Sequence, residues 1–486
     1  MHRNPVKSRR SRLALFAVLV LALAGCTVGQ EYRRPELSVP KTYREGAPWK
    51  EAEPSDTLPK GRWWSMFSDA GLDDLQDRAR KANQDLQAAL ARIEQARSAL
   101  QAVGSGIYPR LDLNPSAERK RTAEDLSSTG SGLTSTTLRT PLDLSYEVDL
   151  WGRVRRSVEA ARTEFEASQA DFENILLALQ ADVARSYFSL RTLDAEIDLL
   201  GRTVDLRRKN LELVQSLFRN GQVSRLDLAR AETELANTTA DLAALRRLRA
   251  STEHALAVLA GEPASGFRVP AMPLDLDAQP PAVYPGIPSS LLERRPDIAA
   301  AERRLMAANA RIGVAEAAFF PSIRLTGSAG YASDELSSLF SWDNRTWSLG
   351  PFLSLPVFDG GRNRSGLNLA RARWEEAVAR YRKQVLVAFA EVEDALSDLR
   401  NLDVQSQAQR QAMTSARQAS ELSGKRYRAG LVSYLEVVVS ERTALASELL
   451  AVRVLGLRLQ ASVTLIKALG GGWEDASGAG NQSIRD

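Results

Sequence analysis

One long pattern occurs twice in this chain. WGRVRRS, from Trp151 to Ser157, and GGRNRS, from Gly360 to Ser365, each follow an alternating apolar segment and open a long charged helix. Sixty-nine residues beyond Gly152, at Gly221, stands FRNGQVSRLDLARAE; the same interval beyond Gly361, at Gly430, stands YRAGLVSYLEVVVSE, so both glycine pairs are 209 residues apart. That period far exceeds the roughly 20 to 50 residues of a solenoid unit. Each copy reads strand, loop, strand, very long helix, Gly turn, shorter helix.

The strands are the most specific part of the pattern. From Leu138 to Leu150 the even positions are Leu138, Thr140, Leu142, Leu144, Tyr146, Val148 and Leu150, and the odd ones include Asp143, Glu147 and Asp149. A two-residue period puts the apolar set on one face and the three carboxylates on the other. Alone, this is also the pattern of an ordinary half-buried strand. The second copy repeats it, with Trp347, Leu349, Leu353, Leu355 and Val357 alternating with Ser348, Gly350, Ser354 and Pro356. Partner strands are expected near Ile107 to Ala117 and Ile323 to Tyr331, and strands of about 10 to 13 residues suit a tilted bilayer crossing. Four strands cannot close a barrel, for which roughly eight are the minimum, and open edges are not tolerated in lipid. The chain is therefore expected to oligomerise: two copies give a filled lumen, three give twelve strands and a pore.

The helix from Arg153 to Arg219 would run to about 100 Å at roughly 1.5 Å per residue. Its apolar grid slips by four between Ile175 and Val183, a stutter that divides the rod into two sections. Asn83 to Ser105 with Gln222 to Ala260, and Pro296 to Phe319 with Leu431 to Gly470, have the combined lengths needed to line each long helix with two shorter ones. Near the tip the first copy offers Leu200, Val204, Leu211, Val214 and Phe218, and the second offers Gln409, Met413, Ser420, Ser423 and Tyr427. The second hairpin is thus expected to be the looser one, with Glu421 and Lys425 as candidates for a periplasmic gate.

The N-terminus sets the compartment. Arg3, Lys7, Arg9, Arg10 and Arg12 precede an apolar run from Leu13 to Ala24 and then Leu-Ala-Gly-Cys ending at Cys26. This is an export signal; the run is shorter than the roughly 18 residues of a spanning helix. Cys26 is the only cysteine, and its place in a lipobox-like ending marks it for acylation. Removing the signal takes the formal charge from +4 to −1, so the basic pI says nothing about nucleic acid. After Cys26 no long apolar segment is expected anywhere, so any membrane entry is expected to be as a β-barrel.

Nothing suggests catalysis. His2 leaves with the signal and His254 lies within a helix, with no second His or Cys for a zinc site; no phosphate loop or nucleophile elbow is present. Trp63 and Trp64 read either as interface anchors or, better, as packing against the long helices. Arg294 to Asp297 reads as a helix entrance.

WWSMFSDAGLDDL, NQDLQAALARIEQARSAL, LLERRPDIAAAERRLMAANARIGVAEAAFFPSIRLTGSAG and the two Gly turns resemble the TolC-type outer-membrane factors, in their lipoprotein branch (OprM, CusC and NodT-like). The resemblance covers nearly all of the mature chain; Ala70, where the family often has Pro, departs from it. It implies an α+β membrane protein: a trimeric twelve-stranded β-barrel, four strands per protomer, continued by a periplasmic α-helical coiled-coil barrel. The implied function is that of a passive exit duct for drugs or other small toxic compounds, with no cofactor beyond lipid on Cys26. The implied partners are two further copies, a periplasmic adaptor, an inner-membrane transporter of the resistance-nodulation-division class and outer-membrane lipid. A duct for type I protein secretion or metal-cation efflux is the alternative within that class; a non-conducting coiled-coil lipoprotein is the alternative outside it.

The expected organisation is a signal peptide at 1–25, an extended strap at 26–60, equatorial and first helices at 61–105, and a β-hairpin at 106–150. A helical hairpin at 151–261, a linker at 262–295, a helix at 296–319 and a second β-hairpin at 320–358 follow, then a second helical hairpin at 359–472 and a tail at 473–486. Asp143, Glu147 and Asp149 are expected to face the lumen. Asn220, Gly221, Val223 and Ser224, with Ala429, Gly430, Leu431, Val432 and Ser433, are expected to form the adaptor-docking tips.

Overall fold

A computed structural model describes residues 27–36, 44, 61–123, 125, 132–281, 283 and 294–471. Cys26, the signal and the C-terminal tail lie outside them. The helices are α1 (Ala70–Ala82), α2 (Gln84–Gly104), α3 (Arg153–Arg219), α4 (Arg225–Leu259), α5 (Pro296–Ala317), α6 (Arg362–Arg428) and α7 (Tyr434–Ala468). The strands are β1 (Arg110–Leu113), β2 (Ser116–Thr122), β3 (Leu133–Val148), β4 (Ser322–Ser333) and β5 (Arg345–Ser354). The duplication is plain in the lengths: α3 and α6 have 67 residues each, α4 and α7 have 35 each.

The chain divides into two compact units. The sheet unit comprises Met1–Glu36, Arg92–Gln169 and Ala300–Arg382; the helical unit comprises Leu37–Ala91, Ala170–Ala299 and Lys383–Asp486.

In the sheet unit all pairing is antiparallel, in the order β1-β3-β4-β5, with β2 also on β3. The first strand differs from expectation. It begins at Arg110, after a short 3-10 turn at Ser105–Ile107, and is split at Asn114-Pro115. Proline cannot donate to a ladder, and the Asn114 side chain instead donates to Asp143 at 2.9 Å. β5 ends at Ser354, short of Leu355 and Val357.

The first described residues, from Thr27, are fastened to this unit. Val28 N donates to Trp151 O (3.0 Å), Asn309 Nδ2 donates to Gln30 O (3.0 Å), and Arg34 forms a two-point pair with Glu302. Thr27, the residue after Cys26, rests on Gly152: a Cβ there would lie 2.5 Å from Thr27 Cγ2. Trp151 stacks on Phe320 at 4.8 Å and donates its indole N–H to Pro321 O, joining the ends of the two β-hairpins.

The helical unit has the main core. Trp63, Trp64, Leu72 and Leu75 pack with Val183, Tyr187 and Leu190 of α3, Leu256 of α4, Val392 and Leu396 of α6, and Leu459, Val463 and Ile466 of α7. Trp63 Nε1 donates to Gln180 Oε1 (3.1 Å), which fixes the tryptophans as packing residues. Asp69 is the N-cap of α1 and also accepts from Tyr187 Oη at 2.6 Å. α7 corrects one expectation, since it contains an 18-residue window of mean hydropathy 1.6, long and apolar enough to cross a membrane. Burial of 61% of that window explains its composition.

The short helices meet end to end, and both joints lie in this unit. Asn83 caps α2 through the N–H groups of Asp85 and Leu86 while its amide donates to Leu259 O at the end of α4. In the second copy Arg295, before α5, donates to Ala468 O at the end of α7 and pairs with Asp297 and Glu391. Burial opposes ionisation of Asp297, but Arg295, the Ile298 N–H and Gln384 outweigh it and hold the carboxyl below its ordinary value.

Candidate functional site

The register sorts the sheet into two faces. Leu111, Leu144, Gly327 and Leu349 lie side by side across four strands, as do Leu113, Leu142, Ala329 and Trp347. The intervening rows are Asp112, Asp143, Ser328 and Ser348, then Arg110, Ser145, Thr326 and Gly350. The apolar face is bare. Trp347, Leu349, Leu353, Leu111 and Leu113 are 60–78% exposed, which a water-soluble monomer does not tolerate as one continuous patch. On the polar face Phe352 is the one aromatic intruder, in the row of Glu147 and Arg324, beside the smaller Pro141 and Ala332.

The three carboxylates expected to face the lumen divide by role. Asp143 lies on the polar face within β3. Glu147 shares that face but is held by Arg153 in a two-point pair, 2.7 Å at each oxygen. Asp149 lies beyond the end of β3 and is not a strand residue; its carboxylate accepts from Val154 N (3.0 Å) and Arg155 N (2.9 Å), capping α3. Asp359 does the same for α6, accepting from Gly361 N and Asn363 N at 2.9 Å each, and these N–H groups hold its carboxyl low. Val154 and Asn363 are equivalent in the repeat, so both long helices start on an aspartate of the segment that leads in from the strand. Carboxylates favour helix N-termini because four N–H groups there lack partners. An Asp shortly before Gly-Arg in each copy was the available signal for this.

At the tips, Gly221 and Gly430 have φ of 66° and 74°, the left-handed region that closes a helix. Gln222 N donates to Leu217 O and Leu431 N to Arg426 O, both at 2.9 Å, giving each long helix the same terminal motif. A Cβ on either glycine would meet nothing within 4 Å. Asn220, Ser224, Ala429, Leu431 and Ser433 are exposed, and Val432 is half-buried. Val223 is drawn into a cluster with Val214, Leu228, Tyr434 and Val437 and serves packing.

The two turns differ in capping. Ser224 forms a reciprocal capping box with Asp227. Ser433 makes no side-chain cap, contrary to the symmetric expectation. Its would-be partner, Glu436, is taken by Arg426 at 3.2 Å. Within the second hairpin, polar bonds replace part of the apolar grid: Gln409 donates to Ser447 O (3.0 Å), Ser423 bonds Ser440, and Arg417 pairs with Glu448. Glu421 and Lys425 pair with each other at 2.6 Å, both exposed, and this bond keeps the Glu421 carboxyl below its usual range.

One network escaped sequence reading. Glu234 of α4 is buried between Arg207 of α3 (2.8 Å) and Arg442 of α7, while Asn210 donates to Glu441 at 3.0 Å. These groups tie the first hairpin to the second. Nothing in their spacing along the chain announces the contact.

The family model described as "Outer membrane efflux protein" matches this sequence twice, at residues 75–262 and 287–471, once for each copy of the repeat. The chain belongs to the outer membrane efflux protein family. It is 34% identical over 469 residues to Outer membrane protein OprJ of Pseudomonas aeruginosa, covering 96% of this chain and 97% of that one. It is 33% identical over 477 residues to the Toluene efflux pump outer membrane protein TtgC of Pseudomonas putida, covering 97% and 98%. The CmeC outer membrane channel of Campylobacter jejuni superposes with a TM-score of 0.87 at 27% identity, over 93% of this chain and 96% of that one. An outer membrane efflux channel requires a two-faced sheet, and this family member has one. A non-conducting coiled-coil lipoprotein, the reading from another class, has no place for such strands.

Proposed function

We propose that three copies close their sheets into a twelve-stranded barrel and conduct drugs or other small toxic compounds outward. The cargo would be delivered by an inner-membrane transporter of the resistance-nodulation-division class through a periplasmic adaptor. The observation that carries this is the sheet, four strands wide with its first strand split into β1 and β2, apolar on one face and polar on the other, whose outer strands β1, β2 and β5 keep unpaired edges among the described residues. Open edges in hydrocarbon leave backbone groups without partners, at several kcal/mol each, so the edges of one copy must meet those of the next. Asp143 then faces the lumen, with Glu147 and Asp149 at its helical end. The relative named for toluene efflux supports small hydrophobic cargo.

The tips are the surfaces offered to the adaptor, because the bare Gly turns allow close backbone approach. The double substitution Gly221→Trp, Gly430→Trp should abolish efflux while the trimer level in the outer membrane stays normal. Drug susceptibility and chemical cross-linking measure the two quantities; full resistance in that variant refutes the assignment. Opening is assigned to the second hairpin, with Glu421 and Lys425 near the constriction; its outward movement must break the Arg442–Glu234 and Asn210–Glu441 ties.

Cys26 is assigned the lipid. Thr27 and Val28 already fix the chain beside Trp151 and Phe320, aromatics suited to a membrane interface. Acylation therefore tethers without building the barrel. Cys26→Ala, exported with a cleavable non-lipoprotein signal, should still reach the outer membrane as trimers; soluble monomer in the periplasm overturns the reading.

A further inference from the structure

At the helical end of the sheet the polar face bounds a cavity of about 550 Å³. Its walls come from the end of α2, the turn at Ser105 to Tyr108, the start of α3 and strands β1, β3 and β4. Three guanidinium groups line it, Arg110, Arg153 and Arg324, against one carboxylate, Glu147. Efflux conduction alone does not call for this concentration of arginine.

The arginines are not equivalent. Arg153 is committed to Glu147 by two bonds of 2.7 Å, and Arg110 is paired with Asp112 at 2.8 Å. Arg324 lies directly across from Glu147 in the β3–β4 register, yet both Glu147 oxygens are engaged by Arg153, and among the described residues the Arg324 side chain has no ion pair or hydrogen-bond partner. Arg110 and Arg324 flank β3 on either side and lie two residues apart along it, since Arg110 pairs with Ser145 and Arg324 with Glu147. Strand spacings of about 4.8 Å and a rise of about 3.4 Å per residue place their backbones about 12 Å apart. Two long side chains span such a gap around a single bound group. Guanidinium forks match carboxylate and phosphate oxygens in geometry as well as charge.

We propose that this cavity is a transit site for the carboxylate or phosphate group of an anionic solute, with Arg324 as the principal ligand and Arg110 beside it. Resting on the reading that the polar face lines the lumen, the site recurs in each protomer, and the duct favours anions at the foot of the barrel.

The test uses the purified full-length trimer with tripolyphosphate as the probe. Calorimetry at low salt should show binding to the native protein, weakened about ten-fold in Arg324→Gln and only partly restored in Arg324→Lys, which returns the charge without the fork, because a ten-fold change needs only about 1.4 kcal/mol, within reach of one charge-assisted pair. In planar bilayers the same Arg324→Gln change should shift the reversal potential in a KCl gradient toward cation preference. Absence of binding to the native trimer, or equal binding and equal reversal potential in Arg324→Gln, overturns the inference. A separate Ser145→Cys variant, treated with a charged thiol reagent, reports on the face itself. If its conductance changes while Arg324→Gln behaves as native, the transit site alone falls; if its conductance is unaffected, the lumen reading fails and takes the site with it.

Discussion

Replacing Leu144 by arginine should eliminate assembled protein from the outer membrane, whereas Ser328→Arg should leave it in place. The two residues sit on adjacent strands, one row apart, on opposite faces. Leu144 is flanked by Leu111 and Gly327 on the bare apolar face; Ser328 is paired with Asp143 and Ser348 on the polar one. Arginine on the lipid side of a barrel costs about 2 to 4 kcal/mol near the bilayer centre, hence about 6 to 12 kcal/mol over three copies. At Ser328 the new guanidinium meets water and the Asp143 carboxylate. Heat-resistant trimer on gels of outer-membrane fractions separates the outcomes. Equal trimer yields from the two variants mean that the faces have been exchanged.

The second large effect is expected in the helical unit. Asp194 is almost wholly buried and accepts from Arg191 (3.1 Å), Arg249 (2.6 Å) and the backbone N–H of Met272 (3.0 Å). Arg191 also donates to Pro270 O and Arg249 to Val269 O, so this one carboxylate fastens α3 and α4 to the segment that follows α4. Asp194→Ala leaves the buried Arg191 without a counter-ion and leaves Arg249 with Glu253 alone, at 3.3 Å. Breaking a buried pair from one side costs about 3 to 5 kcal/mol. Thermal unfolding of the detergent-purified protein should show a marked fall in Tm, with Asp194→Asn intermediate because the amide oxygen still accepts. An Ala variant as stable as the native protein would show that water already screens the cluster.

What could be read from the chain follows from the range of the signal. The division of the sheet into faces was legible because a two-residue period needs only local sequence, and the register then carries Leu144 to Leu111, Gly327 and Leu349. The helix ends were legible because Asn-Gly and Ala-Gly turns repeat at a fixed interval. The interruption at Asn114-Pro115 is signalled by the proline, but alternation alone runs a single strand through it. The roles of Glu147 and Asp149 stayed hidden for a different reason. Alternation counts a carboxylate as facing solvent, and only the turn from strand into helix brings it onto Arg153 or onto a row of free N–H groups. Ser433 misled in the same way, since symmetry with Ser224 predicts a capping box, yet the Glu436 N–H donates to Ser433 O and the Glu436 carboxylate pairs with Arg426. The apolar character of α7 reflects neighbours distant in sequence.

The end-to-end joints decide where the helical unit is least stiff. A continuous α-helix resists bending because every turn is locked by its hydrogen-bond ladder. Asn83 and Arg295 splice short helices where that ladder is already interrupted, and each does so through side chains, one amide and one guanidinium. Beside each splice runs an unbroken helix of 67 residues. A small tilt between two spliced helices costs only a few side-chain bonds, whereas the same tilt within the neighbouring long helix would break its ladder. The splices are therefore where the short helices yield first, and the long helices set how far they can go.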